Sequence, residues 1–217
     1  MLLTRAVLPN LVWRAGRVAS TIRKVALASL LGMLKADLFD PATLRALWAQ
    51  WNPPCKTALS DDDGLSRYIA CLFFQRVFHA LQPLQCIDGE QVRDLYPELV
   101  KRLDDSEDRV RLAVLATLRA FFRAVPPAES RGAPVEYTTD CLLVHADDTD
   151  PRIQAAAEAA LRVCATVDPE YVAKHAARAR TRHRSPELCD RLLRLCRKRQ
   201  AQAAASGAAA TGTSEDA

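Results

Sequence analysis

The side chains here with the means to do chemistry are aspartate clusters, scattered histidines and cysteines, and a run of arginines. Asp61-Asp62-Asp63, Asp104-Asp105 and Asp147-Asp148 offer neighbouring carboxylates, and His145 stands beside the last pair. Carboxylates with a nearby imidazole are donors that a divalent cation takes. Neither an EF-hand loop nor a His/Cys ligand spacing accompanies them, however. The acidic cluster recurs at one position in successive stretches of the chain. There the positive dipole end of a following helix accounts for it without a metal. No metal or other cofactor is therefore expected. The four histidines, at 79, 145, 175 and 183, lie far apart, and there is no glycine-rich phosphate loop, HExxH or GxSxG. No catalytic set can be assembled from these residues, and no enzyme is expected. His79, at the end of a helix, reads as a solvated or capping residue.

Seven cysteines, at 55, 71, 86, 141, 164, 189 and 196, make an odd number without a CxxC pair. They read as reduced thiols rather than a disulfide framework. Cys71 and Cys164 fall on periodic apolar positions, where a thiol behaves as a small hydrophobe.

The clearest binding signal is basic. Lys174, Arg178, Arg180, Arg182, His183 and Arg184 are followed by Arg191, Arg194, Arg197, Lys198 and Arg199. Three readings stand: a solvated end of the fold with cations near a helix C-terminus, a grip for an acidic protein, or a grip for nucleic-acid phosphates. The candidate partner-binding residues are Arg178, Arg180, Arg182, Arg184, Arg191 and Arg194. Aromatic residues that would stack bases are missing, Tyr171 being the nearest, so nucleic acid is not the partner expected.

A repeat must position all of these. Arg23, Arg67 and Arg111 stand 44 residues apart, and Gln154 follows 43 later. Three residues beyond each marker lie Ala26, Ala70, Val114 and Ala157, and seven beyond lie Leu30, Phe74, Leu118 and Leu161. Met33, Val77, Phe121 and Cys164 follow at ten. Those offsets share one face of a 3.6-residue helix. Small residues in the first column let helices approach, and each bulky residue buried contributes roughly 1.5–3 kcal/mol. Pro9, Pro53 and Pro97 repeat the 44-residue interval 14 residues ahead of each arginine. A period of this length belongs to helical hairpins of the HEAT/armadillo kind. The fold predicted is all-α, an α-solenoid of about four to five stacked HEAT-type hairpins. Leu30, Phe74, Leu118 and Leu161, with Arg23, Arg67 and Arg111, form its repeat core. Such a solenoid is a surface for holding proteins, not a pocket for reactions.

Composition agrees with that class. Of 217 residues 49% are hydrophobic and 26% charged, and only 7 glycines occur. No apolar run is long enough to cross a bilayer, so no membrane partner is expected. Net charge is +4, but residues 1–36 contain no acid at all. An acid-free start bearing arginines could be a mitochondrial transit peptide. Arg23 and Pro9 already belong to the repeat register, which gives the segment a structural role instead.

Hairpins are predicted at 2–36 (truncated), 41–82, 89–124 and 135–166, with a closing pair at 168–180 and 186–199. Asp40-Pro41, Asp150-Pro151, Asp168-Pro169 and Ser185-Pro186 supply capping side chains ahead of a proline at the first helical position. Residues 126–134, with three prolines and a glycine, are expected as an exposed connector. Residues 1–199 form the repeat domain in this reading. The Ala/Gly/Ser-rich residues 200–217 form a disordered tail. Met1 falls inside the first helix of a hairpin. The chain therefore reads as the C-terminal part of a longer array, or a shortened gene product, capped by its basic C-terminal pair.

Leu95-Tyr96-Pro97-Glu98-Leu99-Val100-Lys101-Arg102-Leu103-Asp104-Asp105 and Leu8-Pro9-Asn10-Leu11-Val12-Trp13-Arg14-Ala15-Gly16-Arg17 carry a resemblance. So do Leu142-Leu143-Val144-His145 with Asp147-Asp148, and His183-Arg184-Ser185 leading to Cys189 and Leu192-Leu193. Together they resemble the C-terminal region of the dynein axonemal assembly factor 5 (HEAT-repeat-containing protein 2) family, in order, from about residue 5 to 197. The resemblance implies a non-enzymatic cytoplasmic scaffold in cells bearing motile cilia or flagella, helping outer and inner dynein arms assemble. It implies dynein subunits as partners, intermediate chain among them, with co-chaperones alongside. The family offers no catalytic residues to carry over. The alanine-rich stretch 155–160 and the Ala/Gly/Ser tail depart from its pattern.

Overall fold

A computed structural model describes residues 3–211, and every regular element among them is helical. The chain is all-α, of the solenoid class built from stacked hairpins, and it divides into two compact units, residues 1–130 and 131–217.

In the first unit, a π-helical turn at Leu3–Val7 and a 3-10 turn at Leu8–Leu11 stand where the first helix of the truncated hairpin was expected. Pro9 lies in the 3-10 turn, and Leu8 and Leu11 are buried. α1 (Arg17–Lys35) follows Gly16, whose φ of +102° favours glycine, and buries Ala26, Leu27, Leu30, Leu31 and Leu34 on one stripe. The first helix of the next hairpin comes in two pieces, α2 (Pro41–Ala46) and α3 (Trp48–Ala58). Asp40 caps α2 by accepting the Thr43 N–H at 2.9 Å. The buried Trp51 indole donates to the Leu44 carbonyl at 2.9 Å and ties the pieces together.

α4 (Gly64–Leu81), capped by Asp63, lies between α1 and α6 (Asp108–Ala124). α5 (Gly89–Val100) begins with a reciprocal capping box: Gln91 N–H to Asp88, and Asp88 N–H to the Gln91 side chain. Pro53 and Pro97 fall inside α3 and α5, the first helices of successive hairpins. The aromatic core runs from Trp51 to Phe73 at 5.4 Å between ring centroids, and from Phe78 to Phe121 at 5.1 Å.

The expected connector is exposed at Pro127, Ala128, Glu129, Arg131 and Ala133, but it is not irregular throughout. Pro127–Ser130 is a helical turn, α7, and Ser130 is fully buried. Pro127 stands at its first position, where a missing N–H is no loss. The helical path breaks at Val125-Pro126 and again at Arg131-Gly132, the glycine taking φ +79°.

The second unit contains α8 (Ala133–His145), α9 (Pro151–Val167), α10 (Pro169–Arg180) and α11 (Glu187–Thr211). Asp150 accepts the Arg152 N–H and Asp168 the Tyr171 N–H, each at 2.8 Å. Ala157 and Ala160 of the alanine-rich stretch are buried in α9. α11 continues past residue 200 to Thr211, since alanine has the highest helix propensity. Residues 212–217 of the expected tail lie outside the described residues. No described helix is long and apolar enough to cross a membrane.

Candidate functional site

The repeat-core positions occupy equivalent places. Leu30, Phe74, Leu118 and Leu161 are each no more than 2% exposed. The marker arginines do something the sequence reading left unassigned. Arg23 at α1 holds Asp61, Nε to Oδ2 at 2.9 Å and Nη2 to Oδ2 at 2.8 Å. Arg67 at α4 holds Asp105 through two parallel bonds, Nε to Oδ2 at 2.7 Å and Nη2 to Oδ1 at 2.8 Å. Arg111 is half-buried, with its Nε donating to the Leu103 carbonyl and its Nη1 to Asp108.

The acidic turns sit at the starts of the following helices and do more there than meet a dipole. Asp63 accepts the Ser66 N–H in the first turn of α4 at 2.8 Å. Asp61, Asp105 and Asp148 each accept the backbone N–H of the residue that caps the next helix, Asp63, Glu107 and Asp150, at 3.0, 3.1 and 2.8 Å. For Asp61 and Asp105 the outer face of the carboxylate is thereby free to take a guanidinium. Burial pushes the Asp105 carboxyl up. Its bonds to Arg67 and the Glu107 N–H, and the charges of Arg67 and Arg102, outweigh that and hold it below the ordinary 3.8.

In the second unit the six candidate arginines separate into two groups. Arg180 pairs with Asp190 at 2.5 Å. Arg184 pairs with Asp147 at 3.3 Å, and its backbone N–H binds the same carboxylate at 3.0 Å. Arg191 grips Glu158 at 3.0 and 2.6 Å, and Arg162 shares that carboxylate at 2.7 Å. These three also hold carboxylates within the fold. Arg178, Arg182 and Arg194 are exposed and, among the described residues, engaged in no such pair, as are Lys174, Arg197 and Lys198. Asp147 is occupied by Arg184, which turns it away from the metal role considered for it with His145.

Sequence reasoning missed Glu158. Its only signal was being the one acid among alanines 155–160. Its bonds to Arg191 outweigh burial and, with Arg162, lower its pKa from 4.5. Also missed was the Asp140 cluster. The His175 Nδ1 lies 2.6 Å from one Asp140 oxygen and the Tyr171 hydroxyl donates to the other at 3.0 Å, the two rings stacking at 3.9 Å. Burial, then the Asp140 hydrogen bond and charge, push the Tyr171 phenol up to about 12. Tyr171, the nearest candidate for stacking a base, is therefore already stacked on His175.

Paired helices with buried repeat columns, cross-hairpin Arg–Asp pairs and exposed cations define a helical-repeat protein of the HEAT/armadillo class. No protein-family model matches the chain. It is similar to the dynein axonemal assembly factor 5 of Xenopus laevis, 30% identical over 195 residues, covering 88% of this chain and 23% of that protein. The Homo sapiens protein of the same name is 30% identical over 188 residues, covering 85% of this chain and 22% of its own length. The chain thus spans less than a quarter of these relatives. Among solved structures it is similar to an engineered protein of a structural genomics consortium, with a TM-score of 0.63, 17% identity, and coverage of 82% of this chain and 68% of that one. That likeness concerns the fold alone.

Proposed function

We propose that this chain is a non-enzymatic helical-repeat scaffold for the cytoplasmic preassembly of axonemal dynein arms, outer and inner, and so serves movement of cilia or flagella. Its partners are dynein subunits, intermediate chain foremost, with co-chaperones. The observation that carries the reading is similarity along 195 residues to a protein named for dynein axonemal assembly. The repeat fold supports it physically: stacked hairpins present a long row of side chains without a reaction site. Loss of the gene in a cell with motile cilia should remove dynein arms from axonemes seen by electron microscopy. Full arms and normal beating in such cells would refute the proposal.

A second reading has one observation in its favour. Arg178, Arg182 and Arg194 stay exposed with no partner carboxylate among the described residues, so the basic end can grip an acidic partner or nucleic acid. Retention of RNA or DNA falling steeply with salt would support nucleic acid. Retention unchanged by salt, or absent, would dismiss it.

A further inference from the structure

α4 and α6 each leave one stripe open, and the two stripes match position for position. Leu72, Gln75 and His79 of α4 stand 44 residues before Ala116, Arg119 and Arg123 of α6. All six are exposed or half-buried, whereas Phe74 and Val77, with their counterparts Leu118 and Phe121, are sealed. α4 is packed by α1 on one side and α6 on the other. Its stripe is therefore open although both neighbouring helices are in place.

One end of this face is cationic. Arg76 and His79 lie three apart on α4, and Arg119 and Arg123 four apart on α6, spacings that set each pair on one side of its helix. α4 contains no acid, and α6 none after Asp108. Arg67, earlier in α4, is held by Asp105, but none of these four is in an ion pair among the described residues. Burial, then the charges of Arg119, Arg123 and Arg76, hold the His79 imidazole below its ordinary 6.5, so the four stand within electrostatic reach of one another. The negative end of a helix accounts for His79 and Arg123 in the last turns, but Arg76 and Arg119 lie further in. Crowded cations without a counter-charge repel, and an anion brought from outside relieves them. Leu72, Leu112 and Ala116, all half-buried, adjoin the cations on the side of the helix starts. Phe78, Phe121 and Phe122 beside them are buried, so no ring is offered to a base.

We propose that this face of α4 and α6 receives an acidic segment of a partner protein, its carboxylates on Arg76, Arg119 and Arg123 and its apolar residues along Leu72, Leu112 and Ala116. The surface belongs to the first unit and includes none of the arginines of α10 and α11. Its test uses no dynein component, so its failure leaves the assembly reading untouched.

The probe is a labelled peptide of four glutamates followed by two leucines. Its counterpart carries glutamines in place of the glutamates. With the full chain, the glutamate peptide should shift the ring resonances of His79 and the methyl resonances of Leu72 and Leu112, and the glutamine peptide should not. The affinity read from those shifts should fall about tenfold as salt rises from about 50 to about 500 mM. In Arg76→Gln/Arg123→Gln, both exposed, it should fall about tenfold while the melting temperature stays unchanged or rises. Resonances of His79 that do not move, equal effects of the two peptides, or an unchanged affinity in the double variant would overturn the proposal. A lower melting temperature in that variant would do so too, by showing that these arginines hold the fold. A single-stranded oligonucleotide that displaces the peptide at equal concentration would give the face to nucleic acid instead.

Discussion

Arg67 and Asp105, 38 residues apart in sequence, meet across two hairpins through two parallel hydrogen bonds of 2.7 and 2.8 Å. Arg23 and Asp61 repeat the relationship at the same spacing. Each aspartate also binds a backbone N–H of its own turn, so one carboxylate fixes the turn and anchors the preceding helix. The carboxylates are nearly sealed from water, at 2% and 1% side-chain exposure. Pairs of this kind fix register more than they add stability, because desolvation offsets most of the attraction.

Removing one partner is a different matter, since it strands a buried charge. Asp105→Ala should destabilise the first unit by about 3 kcal/mol, read from urea unfolding. Asp62→Ala, exposed in the preceding turn, should change it by less than about 0.5 kcal/mol. Replacing Arg67 and Asp105 together by apolar residues should recover much of the loss. Additive losses would show that the two do not act as a pair.

The same carboxylate predicts an acid limb. Asp105 has a folded pKa below its ordinary 3.8, and Glu158 one below 4.5. Between folded and unfolded values the unfolded chain binds more protons, so stability falls as pH drops. The contribution should be complete above about pH 5 and lost as pH falls through the folded values. Urea midpoints measured from pH 6 to 2 should show a flatter acid limb for Asp105→Asn than for the native chain.

The two groups of arginines should separate stability from binding. Arg191→Ala strips one of two guanidinium partners from a carboxylate that is only 12% exposed and should lower the melting temperature. Triple replacement of Arg178, Arg182 and Arg194 by alanine should leave melting unchanged and weaken retention on an acidic resin or peptide. Loss of retention in Arg191→Ala, with melting intact, would reverse the assignment.

Thiol chemistry gives a compact check of the core. None of the seven cysteines is in a disulfide; five are buried, and Cys86 and Cys141 are half-exposed. Burial pushes Cys71 and Cys164 to about 12 and Cys196 to about 11. At pH 8 a thiol reagent should modify Cys86 and Cys141 rapidly and the other five only on unfolding. Rapid labelling of Cys71 or Cys164 would contradict the helix columns.

Much of the fold was legible because its rules are short-range. The 3.6-residue period picked out Leu30, Phe74, Leu118 and Leu161, and side chains at Asp40, Asp150 and Asp168 marked helix starts. The helical turn within the connector at 126–134 was not legible because three prolines look like a loop. Proline nevertheless suits the first position of a helical turn, and burial of Ser130 depends on contacts that composition does not report.

Sequence alone determined that this chain folds as repeating helical hairpins, since periodicity and capping are properties of residues a few positions apart. The choice of carboxylate for each arginine was decided only in three dimensions. Asp61 lies 38 residues from Arg23 and Glu158 lies 33 from Arg191, distances at which stacking rather than local pattern brings charges together. Tertiary packing likewise left Arg178, Arg182 and Arg194 exposed, because which cations meet a carboxylate depends on how the helices stack.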